Sequence, residues 1–135
     1  MKKLITITTI VLLFASSGCR KDLSLNPDAD KLYTPYLTSV RGDGEVTLKW
    51  GKPACELCGT CPCPGLDPKY FEILISDSSP AELKPFSTVK NNIFEVTINN
   101  LTNGTPYYFA IIAIGQIEYT VSETIMVIPA IAETK

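Results

Sequence analysis

Four of the chain's five cysteines crowd into one short run, Cys55-x-x-Cys58-x-x-Cys61-x-Cys63. Thiols at this spacing can do three kinds of chemistry. They can pair as two disulfides, with three possible connectivities that sequence does not distinguish. They can hold a metal as thiolates. However, tetrahedral zinc sites usually join two ligand pairs across a dozen or more residues, and compact iron–sulfur runs place three residues before the last cysteine, where this run has one. They can exchange electrons through Cys55-Glu56-Leu57-Cys58, although the βαβ surroundings that lower a thiol pKa are not legible nearby. The three readings stay open at this level; an oxidising compartment favours disulfides. No metal and no cofactor is assigned.

Other chemistry is thinly represented. The chain has no histidine, which removes the commonest general base and the commonest metal ligand. No nucleophile motif is visible, and no enzymatic activity is expected. Glu45, Glu72, Glu95, Glu118 and Glu123 fall largely on outward strand positions, where carboxylates keep a sheet face solvated. Tyr70, Tyr108 and Tyr119 are also candidates for outward positions, where aromatics can contact sugar or protein. A net charge of −2 over 135 residues argues against nucleic-acid binding, which needs a basic face.

The elements that must position these residues read as short strands. Tyr36–Val40 opens the series, with Leu37 and Val40 as candidate inward residues. Gly42-Asp43-Gly44 is a turn signal. In Glu45–Trp50 the residues Val46, Leu48 and Trp50 alternate with polar ones, the period of a half-buried strand. Trp50, the single tryptophan, suits the centre of a small core. Pro53 ends that strand, and residues 54–69 form a Pro-, Gly- and Cys-rich loop. Phe71, Ile73 and Ile75 mark the next inward face, and Pro85 with 86–89 suggests an edge strand. Phe94, Val96 and Ile98 precede an Asn- and Gly-rich corner. Tyr107, Phe109, Ile111 and Ala113 follow it at every second position. The segment 117–128 supplies the last strand or strands, with either Ile125 and Val127 or Met126 and Ile128 inward. About seven short strands with turn signals between them indicate an antiparallel sandwich.

The N-terminus carries a separate message. Lys2 and Lys3 precede an apolar run, Leu4–Ala15, that is too short to be a comfortable membrane span. Ser16, Ser17 and Gly18 then lead into Cys19. This resembles a bacterial lipoprotein signal peptide, with Ser16 where such signals usually carry Leu. The resemblance implies that residues 1–18 are removed and that Cys19 is lipidated, fixing the chain to a membrane surface without crossing it. Loss of the leader takes the net charge from −2 to about −4, because only Lys2 and Lys3 are charged within it. Arg20 stands where the inner-membrane retention signal of such proteins has Asp, which points to the outer membrane, facing the periplasm or the exterior. Residues 19–34 read as lipidated cysteine and tether, 35–129 as the domain and 130–135 as a tail.

The domain's motifs accumulate in order: Val46-x-Leu48-x-Trp50-x-x-Pro53, then Phe71-x-Ile73-x-Ile75, then Leu101-x-x-Gly104-Thr105-x-Tyr107-x-Phe109-x-Ile111-x-Ala113. This resembles a fibronectin type III domain, a seven-stranded antiparallel immunoglobulin-like sandwich. The resemblance implies that Trp50, Leu101 and Tyr107 define the fold, with the Tyr107 hydroxyl bonded to backbone near Leu101. The cysteine-bearing loop departs from the family's pattern. Arg41-Gly42-Asp43 matches the integrin-binding tripeptide of one fibronectin domain but lies in a different loop, and Gly-Asp-Gly is what a tight turn requires. Asn100-Leu101-Thr102 fits a glycosylation acceptor, at a place where Leu101 is expected to be covered. The resulting expectation is a lipid-anchored envelope protein whose module binds a protein or a glycan, with the cysteine loop as a contact site. The alternative is a thiol-based redox or metal-binding lipoprotein using Cys55–Cys63.

Overall fold

The computed structural model describes residues 31–53 and 65–131. Cys19 and the four loop cysteines lie outside these residues, as do the leader, most of the tether and positions 132–135 of the tail. Eight strand segments are present: β1 (Tyr36–Gly42), β2 (Glu45–Gly51), β3 (Tyr70–Ser76), β4 (Lys84–Lys90), β5 (Glu95–Ile98), β6 (Tyr107–Ile114), β7 (Tyr119–Val121) and β8 (Ile125–Val127). A single 3₁₀ turn, Pro80–Glu82, joins β3 to β4. Strands β1-β2-β5 form one sheet. The other is ordered β4-β3-β6, with both β7 and β8 on the far side of β6. All strand pairs are antiparallel.

The eight segments occupy seven strand positions, because β7 and β8 are two halves of one edge strand. Ile112 faces Val121, but Phe109 faces Ile125, so one extra residue is accommodated between the halves. Ser122 manages the break. Its N–H donates to the Ile111 carbonyl, its Oγ accepts the Ile111 N–H, and its hydroxyl donates to the Glu123 carbonyl, each at 2.9 Å. A side-chain oxygen thus replaces a ladder acceptor at a bulge, leaving no buried donor unpaired there.

The core lies between the sheets and follows the period-2 pattern. Leu37, Val46, Leu48 and Trp50 meet Phe71, Ile73, Phe109, Ile111 and Val127. The Trp50 and Phe71 rings pack edge to face at 5.7 Å, and so do Phe71 and Phe94 at 5.8 Å, a favoured aromatic geometry. In β8 the first of the two possible registers holds, with Val127 buried and Met126 exposed. In β1, Val40 points to solvent at 58% exposure. Leu37 sets the phase of that strand, so Ser39 takes the inward position and Val40 the outward one.

Two turns need glycine. Gly44 has φ +64 and Gly104 φ +79, both in the left-handed region where a side chain is strained. They are tied together: the Gly44 N–H donates to Asn103 Oδ1 at 2.8 Å, and the Asn103 amide donates to Asp43 Oδ1 at 2.6 Å. The Leu101 N–H donates to the Gly44 carbonyl at 2.9 Å. Asp43 therefore serves a turn pinned to the β5–β6 corner. At that corner the Tyr107 hydroxyl accepts the Thr102 N–H at 3.0 Å, and Leu101 packs against the core.

Packing begins earlier in the chain than Pro35. Leu32 and Tyr33, expected within the tether, are each only 6% exposed and belong to the core. Leu32 forms a parallel bridge with Leu66. The Leu66 N–H donates to the Lys31 carbonyl at 2.8 Å, the Leu32 N–H donates to Glu118 Oε1 at 2.7 Å, and the Thr120 hydroxyl donates to the Tyr33 carbonyl at 2.7 Å. Lys52 sits over the Tyr33 ring at 5.0 Å and pairs with Asp67 at 2.8 Å. Burial, and then Asp67, pushes the Tyr33 hydroxyl up to about 12.

Candidate functional site

The outer faces of the two sheets differ in chemistry. On β1-β2-β5 the outward residues of β2 and β5 are polar, with Tyr36 and Val40 the exposed apolar ones on edge strand β1: the Thr47 and Thr97 hydroxyls meet at 2.8 Å, and Lys49 pairs with Glu95 at 3.2 Å. This is the solvated face expected of an antiparallel sheet covered on one side only.

The outer face of β4-β3-β6-β7/β8 is apolar instead. Strand β6, YYFAIIAI, is apolar at both phases of its alternation. Its odd-numbered residues fill the core, so Tyr108, Ala110, Ile112 and Ile114 go to the other side. Register places Tyr70, Ile114 and Tyr119 in one row across the sheet, Glu72, Ile112 and Val121 in the next, then Leu74 beside Ala110, then Tyr108 beside Met126. Tyr119, Val121 and Met126 are exposed, at 68%, 42% and 56%. Among the described residues, Glu72 on β3 and Lys90 on β4, beside Tyr70, are the charges of these rows, and Thr88 lies beside Glu72.

All three tyrosines suspected of facing outward therefore share one face. Tyr70 and Tyr119 flank Ile114, two strand spacings or about 10 Å apart, and Tyr108 lies toward the other end of the same strand. Of the five acids expected outward on strands, Glu45, Glu72 and Glu95 are in strands, while Glu118 lies in the β6–β7 turn and Glu123 in the β7–β8 break. Glu118 spends its carboxylate on the Leu32 N–H.

The residues that flank the cysteine loop, Lys52 and Gly65, lie at one end of the sandwich. Lys52 and Gly65 are joined by a bond from Lys52 Nζ to the Gly65 carbonyl at 3.3 Å, beside the docked segment 31–33. The thiols themselves are outside the described residues. Among the described residues no cluster of three or more metal-ligating side chains occurs. A shallow cavity of about 250 Å³ opens at the opposite end, between Ile75, Ser76, Glu82, Lys84 and Tyr107. Ser76 Oγ there accepts the Ser78 and Ser79 N–H groups and so serves the turn.

Strand order and the β5–β6 corner define an immunoglobulin-like β-sandwich. More narrowly it is a fibronectin type III-like fold, with sheets of three and four strand positions and a tyrosine hydroxyl bonded at the corner. Solved structures agree. The chain is similar to the β-1,2-glucanase from Parabacteroides distasonis, with a TM-score of 0.56 and 18% identity over 73% of this chain and 13% of that one. It is similar to the FN1–FN3 domains of chicken CNTN1, with a TM-score of 0.55 and 17% identity over 73% of this chain and 31% of that one. It is also similar to titin domains A168–A170, with a TM-score of 0.56 and 18% identity over 75% of this chain and 33% of that one. The chain thus corresponds to a third or less of each of these larger proteins. No protein-family model and no curated protein matches it.

Proposed function

We propose that the protein is an envelope lipoprotein, held at the outer membrane through lipidated Cys19, whose non-catalytic fibronectin type III-like module binds another protein through the outer face of the four-position sheet. The apolar row chemistry of that face carries the reading. Aromatic residues and methionine with few charges among them are the composition of an interface centre. A face of this kind left in water is costly unless something covers it. A glycan would need many polar groups around the tyrosines to bond its hydroxyls; this face supplies Glu72, Thr88, Lys90 and the phenol hydroxyls among a larger apolar area, so a protein is the better match.

Two measurements test the reading. Labelled palmitate should enter the wild-type chain in a bacterial membrane and fail to enter Cys19→Ser; labelling of both or of neither defeats the anchor. A photo-crosslinker at position 121 should yield discrete protein adducts in whole cells, lost in a Tyr119→Lys, Ile114→Lys chain that keeps its urea midpoint. Adducts indifferent to those changes, or binding on a glycan array that depends on Tyr70 and Tyr119, would overturn the protein-binding assignment.

A further inference from the structure

The two ends of the sandwich are unlike. The chain enters at the end formed by the β2–β3, β4–β5 and β6–β7 connections, since Leu32 is fixed to Leu66 and Glu118. At this end Ile117 stands at the tip of the β6–β7 turn, 99% exposed. Leu66, Ile93 and Phe94 are also exposed on the neighbouring connections, and Tyr36 at the start of β1. Lys69 and Lys90 lie around them, exposed, together with the acids Asp67 and Glu95, which pair with Lys52 and Lys49 respectively. The opposite end is built from Asp43 and Gly44, from 77–82 and from 99–104. Its loop tips are mostly Asp, Ser, Asn, Thr and Gly, with Pro80, Ala81 and Glu82 in the 3₁₀ turn, while the segment after β8, bonded to Gly42 and Gly104, adds Ile128 and Ile131, 38% and 68% exposed.

An isoleucine wholly in water at a loop tip is unusual for a segment whose job is only to turn the chain. Apolar tips ringed by tyrosine and lysine are what an interfacial surface presents to a bilayer, with aliphatic groups in the acyl boundary and Lys and Tyr at headgroup level. The docking of Leu32 also shortens the tether. Between Cys19 and Leu32 about a dozen residues remain, a span of at most ~40 Å. Because the chain leaves the domain at the apolar end, that end is the one brought to the surface that holds the lipid.

We infer that the Ile117 end of the sandwich rests on the lipid bilayer, with Ile117 inserted at the acyl boundary and Leu66 and Phe94 beside it, so that the module stands on the membrane in one orientation. This rests on the Cys19 anchor and adds to it a second contact that requires no further modification. It holds the β3-β6-β7 face roughly along the membrane normal and points the polar loops outward.

The test uses the lipidated full chain reconstituted into phosphatidylethanolamine–phosphatidylglycerol vesicles with brominated acyl chains. Ile117→Trp and Ala81→Trp each add one emitter, at opposite ends, and the Trp50 background is subtracted using the wild type. The expected result is loss of most of the emission added by Ile117→Trp and no loss for Ala81→Trp. Equal quenching of both, or none in either while the protein floats with the vesicles, overturns the inference and leaves the anchor standing. A wild-type chain that fails to float, like Cys19→Ser, removes the anchor and the inference with it. Urea midpoints equal to wild type show that both variants are folded.

Discussion

Single side chains carry much of the evidence for this fold, and they make the sharpest tests. Tyr107 both packs against the core and accepts the Thr102 N–H. Tyr107→Phe removes only the hydroxyl and should cost about 1 kcal/mol; Tyr107→Ala also removes the ring and should cost roughly 3 kcal/mol. Urea denaturation separates the two, and equal midpoints for both variants would contradict the corner's geometry. Tyr33 gives a pH test. Its hydroxyl is pushed up to about 12 by burial and by Asp67, while an unfolded tyrosine ionises near ~10. Between those values the unfolded chain has lost a proton that the folded one keeps, so stability is full below the lower value and falls as pH rises through the window. Urea midpoints at about pH 9 and about pH 11 should fall less in Tyr33→Phe than in the wild type. Leu32 and Tyr33 were not legible as core residues in the sequence. Two apolar residues in a polar stretch show no period, and what buries them is contributed by Leu66, Lys52, Glu118 and Thr120, far along the chain.

At the scale of elements, strand β6 decides both the fold and the candidate site. Its inward set was legible because Tyr107, Phe109, Ile111 and Ala113 keep period 2 after a corner of recognisable turn residues. Its outward set was not, because an apolar residue at the other phase looks the same whether helix, sheet or solvent covers it. Only the register with β3, β7 and β8 gathers Tyr70, Tyr108 and Tyr119 onto one surface. The split of the last strand was likewise hidden, since Ser122 acts through its side chain in place of the ladder. Ser122→Ala should leave the Ile111 N–H without its acceptor inside the sheet, costing about 1–3 kcal/mol. Amide exchange at Ile111 should quicken more than at Ile73 on the neighbouring strand; unchanged protection at Ile111 would show that the bond is dispensable. The hairpin pin behaves differently. Asn103→Ala breaks exposed bonds to Gly44 and Asp43 and should cost less, about 1 kcal/mol in a urea titration.

For the whole molecule, the sandwich is asymmetric in two directions, across its sheets and along its length. Under the proposed function the first asymmetry offers a face to a partner and the second an end to the membrane. The docked segment 31–33 has a mechanical consequence. A partner held on the sheet face while the chain is fixed at its N-terminal side puts the domain under tension. The pull reaches Leu32 and Tyr33 before any strand. The segment is held in two directions: the Lys31 carbonyl accepts from Leu66 on the β2–β3 connection, while Leu32 and Tyr33 bond to Glu118 in the β6–β7 turn and Thr120 on β7. The Leu32–Leu66 bridge stands outside the two sheets, so a pull on the entering chain loads it before the β1–β2 ladder. The docked segment is thus a two-point clasp ahead of β1, and force must free both points before it reaches the three-stranded sheet.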